Sequence, residues 1–337
     1  MKQPVSKFKR RFKRVCIILL VTVLSYVLLS VAGSVVVFRF IFARTDTVHA
    51  FELTYHDIDA ARYPRREISF LSGENRLRGY VYRPEGDSRA LVLVLNGMNA
   101  CIDRHLPEIL YFVDHGFAVM TFENTGVGES EGDGTVGLAQ ARLDAGAAMA
   151  YIRSDSSLSA LPLLLYGHSL GGYAAATALC DSDEVCAAVC VAGFNSPNEN
   201  MLFSARRRVG VLADMQYPFM CLQNFFLFGD KADSAAVDAI NACGKPVLLV
   251  GSDNDETVPP DISITGRQRD ITNPNAVVVK IDEAYRDRHS AAWLSRDAAQ
   301  YLAETENPTD KQRANVLDGD FMQNVTAFFD KVLFSSQ

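Results

Sequence analysis

The chain has 337 residues, 48% of them hydrophobic, and a net charge of −7. That length accommodates one large α/β domain or two smaller ones. The charge is uneven: residues 1–14 hold seven basic side chains and no acid, which leaves −14 on the remainder. So acidic a body, without a basic stripe, argues against binding nucleic acid. The seven cysteines show no Cys-x-x-Cys or other metal-type spacing, and no internal repeat is present.

The first element is the basic block KFKRRFKR followed by an apolar run from Val15 to Phe38. As a helix these residues extend about 36 Å, enough to cross a hydrocarbon layer of roughly 30 Å. The reading is a cytoplasmic N-terminus (1–14), a membrane-spanning helix (15–38) and a juxtamembrane connector (39–65). A cleaved signal peptide ending near Val31-Ala32-Gly33 and a buried core helix are the competing readings. The basic excess before the run orients the N-terminus to the cytoplasm, so the body of the chain is expected outside it, on a single-pass cell-membrane anchor.

Residues 66–337 read as the soluble domain. Arg66–Leu71 and Leu77–Arg83 form two strands around the turn Ser72-Gly73-Glu74-Asn75. Ala90–Leu95 is a buried strand opening into Asn96-Gly97-Met98-Asn99. A helix is expected from about Asp103 to His115, then a strand Phe117–Phe122 that ends in a glycine-rich loop. Leu138 to Arg153 is amphipathic and helical. Leu163 to Tyr166 is a short buried strand, and an alanine-rich helix follows Gly171-Gly172. Val185–Ala192, Val247–Val250 and Ala276–Ile281 complete a set of buried strands alternating with helices. The expected fold class is α/β, a mostly parallel central sheet covered by helices on both faces. The alternation fails between about 195 and 245, where an insertion rich in Phe and Met is expected to fold over the strand ends as a small cap. Its aromatic residues are read equally as the cap's own core or as the lining of an acyl site; Phe225, Phe226 and Phe228 are the candidates for the second.

Between the buried strand and the alanine-rich helix stands Gly167-His168-Ser169-Leu170-Gly171, the Gly-x-Ser-x-Gly pattern of a nucleophile elbow. A serine on so sharp a turn needs small neighbours two residues to either side, and its hydroxyl stands above the sheet at a helix N-terminus. Serine needs a base, and the base an orienting acid. In this architecture both follow the serine on loops after late strands. The loop after Val250 supplies Asp255, by its interval to Val258-Pro259, with Asp253 and Glu256 as alternatives. The loop after Ile281 supplies His289. The other histidines fall in the connector (His49, His56), on the first domain helix (His105, His115) or within the elbow (His168). The N–H groups of Leu170 and Met98 are the candidates for an oxyanion hole.

These residues carry a resemblance. GHSLGG, DETVP, the final RHS and the loop NTGVGESEG are similar to the motifs of the α/β-hydrolase superfamily, and in particular to its membrane-anchored, capped serine hydrolases. The likeness covers roughly Glu67 to the C-terminus. It departs at Asn96-Gly97, where the family has His-Gly, and at Asn124-Thr125, where the glycine-rich loop usually has Arg. The stretch from Ser290 to Asp318 is longer than the family norm. The function expected is cleavage of a carboxylic ester, acyl or lipid-like, through an acyl-enzyme on Ser169, His289 and Asp255. It needs no metal and no organic cofactor. An amidase or peptidase with the same triad, or an inactive fold kept as a membrane-bound binding module, are the alternatives. Among the cysteines, Cys186 and Cys190 share a strand face about 13 Å apart, too far to bridge. Cys180 with Cys186, or Cys101 with a distant partner, stays open beside unpaired thiols.

Overall fold

The computed structural model describes residues 5–46 and 48–335. Its first element, α1 (Val5–Ile41), is a single helix whose apolar part, Lys9–Ile41, is long enough to cross a membrane and is mostly exposed. Its upper end is different. Ser30, Ser34, Phe38 and Phe42 recur every four residues on one side and are buried, as one face of a 3.6-residue helix and the turn after it would be.

The domain is built on an eight-stranded sheet. The hairpin β1 (Arg65–Ser72) and β2 (Asn75–Tyr82) closes on a two-residue turn with Gly73 at φ +60°. Then come β3 (Leu91–Leu95), β4 (Ala118–Phe122), β5 (Leu163–His168), β6 (Val185–Val191), β7 (Val247–Gly251) and β8 (Ala276–Lys280). The spatial order is β1-β2-β4-β3-β5-β6-β7-β8, parallel throughout except at the hairpin edge. Strands β3, β4, β5 and β7 are buried along their whole length, which is why their sequences are continuous apolar runs rather than alternations. The expectation of a buried last strand does not hold: β8 is the sheet edge, with Val277 and Val279 exposed.

Helices α3 (Gln140–Ser154), α4 (Leu170–Ala178) and α7 (Ala236–Cys243) pack on one face, where Phe38 and Phe42 join their core. The other face is covered by α2 (Leu106–Asp114), α8 (Arg296–Glu304) and α10 (Gly319–Ser335). The α2 helix begins three residues later than expected, after a 3₁₀ turn at Ile102–His105. Pro107 sets that limit, since proline is tolerated only in the first helical turn.

Between β6 and α7 stand α5 (Pro197–Val209) and α6 (Leu212–Phe228), the cap. Ser196 caps α5 by accepting from Glu199 N, and α5 and α6 pack on each other. The α6 helix also packs along α1. Tyr26 donates its hydroxyl to the Met215 carbonyl at 3.0 Å, its ring stands edge-on to Phe219, and Gln216 Nε2 donates to Ser30 Oγ at 3.3 Å.

After α1 the connector is held by the glycine-rich loop. Arg44 donates to the carbonyls of Ser130 at 2.8 Å, Gly132 at 3.1 Å and Gly128, and Thr135 N donates to the Phe42 carbonyl at 3.0 Å. The long stretch after residue 290 carries α8 and a short helix α9 (Lys311–Ala314), and is pinched shut at its base by a bridge between Leu294 and Leu317.

Candidate active site

Ser169 lies between the last residue of β5 and the first of α4, at φ +55° and ψ −114°. No L-residue adopts that backbone freely, and holding it costs roughly 1–3 kcal/mol. The surroundings enforce it. A Cβ on Gly167 would lie 2.1 Å from the Gly171 carbonyl oxygen, and one on Gly171 would lie 1.9 Å from the Leu95 carbonyl oxygen. Both flanking glycines are therefore dictated by backbone passing against backbone. Ser169 N donates to the Val191 carbonyl at 2.8 Å, fixing the turn to the neighbouring strand.

The loops after β7 and β8 bring two of the predicted residues to this serine. His289 Nε2 is 2.8 Å from Ser169 Oγ, and His289 Nδ1 is 2.7 Å from Asp255 Oδ2. The other Asp255 oxygen accepts from Thr257 N and Val258 N, both at 2.8 Å. The buried carboxylate is thus fully engaged, as burial of a charge demands. The two alternative acids are elsewhere. Asp253 is exposed and ion-paired to Lys280 at 2.7 Å, and Glu256 is exposed. Met98 and Leu170 line the same cavity as Ser169, and a Cβ on Gly97 would lie 3.8 Å from Ser169 Cβ, so the loop after β3 abuts the serine.

One part of the site was not foreseen. His168 is buried, and its Nε2–H donates to the His289 carbonyl at 2.9 Å. Burial foremost, with His289 and His105 nearby, holds this imidazole well below the ordinary histidine value, so it stays neutral. Its ring meets Trp293 edge-on at 4.7 Å, and His105 packs against both, 5.3 Å from Trp293 and 5.6 Å from His168. His105 Nδ1 is in turn 2.7 Å from Glu108 Oε1, both residues being fully buried. This stack backs the loop that carries His289. The sequence signal was the spacing of Trp293, four residues after His289.

Over Ser169 lies a cavity of about 580 Å³. Its wall is unexpected. Phe225, Phe226 and Phe228 do not line it: the first two face outward and Phe228 packs against Gly137. The apolar lining comes instead from Met201, Met215 and Met220 of the cap and from Val37, Phe38 and Ile41 of α1. Among the described residues no group of three or more His, Cys, Asp or Glu is arranged to hold a metal. Cys180 and Cys186 point to different partners: the Cys180 thiol donates to the Ala239 carbonyl at 3.1 Å and meets the Cys243 thiol.

Residues 86–224 match the family model described as serine aminopeptidase, S33. No curated protein matches the chain in sequence. Among solved structures, the Pyrococcus furiosus esterase Pf2001 superposes with a TM-score of 0.58 at 16% identity, over 86% of this chain and 97% of that one. The Pyrococcus horikoshii acylaminoacyl peptidase superposes with a TM-score of 0.54 at 14% identity, over 80% of this chain and 41% of that one. Est1E from Butyrivibrio proteoclasticus, with ferulic acid bound, gives 0.50 at 16% identity, over 73% of this chain and 96% of that one.

This chain is an α/β-hydrolase by fold.

In an α/β-hydrolase the parallel strands deliver their loops to one edge of the sheet, where open α/β sheets place their sites. Here that edge gathers the elbow after β5, the loop after β3, and the loops after β7 and β8. The departures from the hydrolase pattern also find their places. Asn96 is buried and donates to the Phe122 carbonyl at 2.7 Å, bracing β3 against β4. The glycine-rich loop, which lacks its usual arginine at Asn124-Thr125, receives the guanidinium of Arg44 from the connector.

Proposed function

We propose that this α/β-hydrolase is a membrane-tethered serine hydrolase that cleaves carboxylic esters through an acyl-enzyme. The supporting observation is the hydrogen-bonded line from Ser169 Oγ through His289 to Asp255. In this reading Ser169 Oγ attacks the carbonyl carbon as its proton passes to His289 Nε2. Asp255, accepting from Nδ1–H, keeps the imidazole in the tautomer whose Nε2 lone pair faces the serine and stabilises the imidazolium that forms. The tetrahedral oxyanion is met by the N–H groups of Leu170 and Met98, each donor being worth about 3 kcal/mol in such sites. Collapse breaks the ester C–O bond and the leaving oxygen takes the proton from Nε2. Water then repeats the sequence and frees the carboxylic acid.

Hydrolysis of an amide is the second reading. It is favoured by the match to the serine aminopeptidase family and by the fold shared with an acylaminoacyl peptidase. The two chemistries differ in the leaving group, which the pocket reads. The domain is read as standing outside the cytoplasm, on the strength of the seven basic residues before Val15.

A membrane-impermeant fluorophosphonate probe tests both points. Intact cells should label at Ser169, and Ser169→Ala should abolish labelling and lower kcat by about 10⁴–10⁶. Labelling of the alanine variant would remove Ser169 from the mechanism. Labelling only after lysis would reverse the topology. A panel of matched ester and amide substrates then separates the two leaving groups.

A further inference from the structure

We propose that the cap is seated in the membrane beside α1, and that the cavity over Ser169 is loaded from the bilayer along α1 by a long-chain acyl ester. The substrate half of this proposal rests on the serine-hydrolase reading above. The seating half rests on the geometry of α1 and α6.

The depth follows from helix arithmetic. Arg14 is the last charge before the apolar run. A hydrocarbon layer of roughly 30 Å takes about 20 helical residues at 1.5 Å each, so a helix entering at Val15 leaves it near Ser34. The α6 contacts lie below that level. Ser30 and Tyr26 sit about 6 and 12 Å beneath Ser34 along the axis, and they are the residues that meet Gln216, Met215 and Phe219. The first half of α6 is therefore at the depth reached by helices that lie in a membrane interface, about 5–10 Å.

The surface of the cap matches that position. Val211 is 79% exposed and Phe226 74%, and Leu212, Met215 and Phe225 are each more than half exposed. Single exposed apolar residues are ordinary, but five on one helix and its leading turn form a patch that water disfavours. The contact between the helices uses serine, glutamine and tyrosine, the small and hydrogen-bonding residues that join helices inside a bilayer.

The cavity completes the case. Val37, Phe38 and Ile41 of α1, with Phe42 in the turn after it, form one of its walls. These residues continue the apolar helix just beyond its exit near Ser34, so a lipid-borne ester reaches Ser169 by moving out of the bilayer along α1, its acyl chain following that wall.

The seating is tested with the full chain in phosphatidylcholine vesicles whose acyl chains carry bromine, a quencher of tryptophan. Tryptophan introduced by Phe226→Trp should lose more than half of its added emission. Tryptophan introduced by Val316→Trp, at an exposed position outside α1 and the cap, should lose little. Equal and weak quenching at both positions would overturn the seating.

The loading is tested with the double variant Val211→Asp, Phe226→Asp, neither residue lining the cavity. Fluorophosphonate labelling at the wild-type rate verifies its fold. Turnover of a 4-methylumbelliferyl oleate held in vesicles should fall at least tenfold, while turnover of the soluble acetate stays within twofold. No loss on the oleate, or an equal loss on both esters, would overturn loading from the bilayer. If the wild-type chain cleaves neither ester, the serine-hydrolase reading fails and takes the substrate half with it. The quenching result then still decides the seating.

Discussion

At the scale of single residues, Asp255 and Asp253 make the sharpest contrast. They stand two positions apart on one loop, yet Asp255 is buried against His289 and two backbone N–H groups while Asp253 is spent on Lys280 at the surface. Asp255→Asn should cost about 10⁴ in kcat, because the amide favours the wrong imidazole tautomer. Asp253→Asn should change kcat less than twofold, and steady-state rates on one soluble ester compare the two. A reversed order would reassign the acid. The serine and both flanking glycines were legible in the sequence because one backbone geometry demands all three. His168 was not. Its place in the elbow argued only against a triad role, whereas its task, holding the His289 carbonyl, joins residues 121 apart.

At the scale of elements, the strands announced themselves as unbroken apolar runs, and the cap as a break in the alternation. Which cap residues face inward was not readable. Sequence distinguishes Phe from Met by size, and by that measure Phe225 and Phe226 belong inside; α6 instead packs its other side on α1 and α5. The extra stretch after residue 290 also finds a purpose only in three dimensions, because it leans on the connector. Asn315 donates to the Phe51 carbonyl at 2.6 Å, and Lys311 pairs with Asp57 at 2.6 Å. Hydrogen bonding from Lys311, then from Thr54, holds Asp57 down at about 2. A lowered carboxylate favours the folded state above the unfolded value near 3.8, and that contribution fades as pH falls through about 2. Lys311→Met should therefore return Asp57 towards 3.8 and move the onset of acid unfolding to higher pH. Carbon-13 titration of the Asp57 carboxyl reads the first effect directly. An unmoved titration would mean that Thr54 alone sets the value.

At the scale of the whole molecule, the sequence separates a long apolar run from an α/β body, and that division hides how the two are joined. Tyr26 and Met215 are 189 positions apart, and nothing in either segment names the other. The chain above α1 is no slack leash, since Arg44 and Phe42 are bonded into the glycine-rich loop. The buried row Ser30, Ser34, Phe38 and Phe42 consequently works like a key cut to one angle. An extra alanine placed after Val36 turns everything below it by about 100° relative to the domain, carrying Ser30 and Tyr26 off α6. The same insertion after Leu20 turns only the N-terminal end. The first should lower the melting temperature and the second should leave it within a degree, so thermal stability is expected to record the phase of a helix rather than its length.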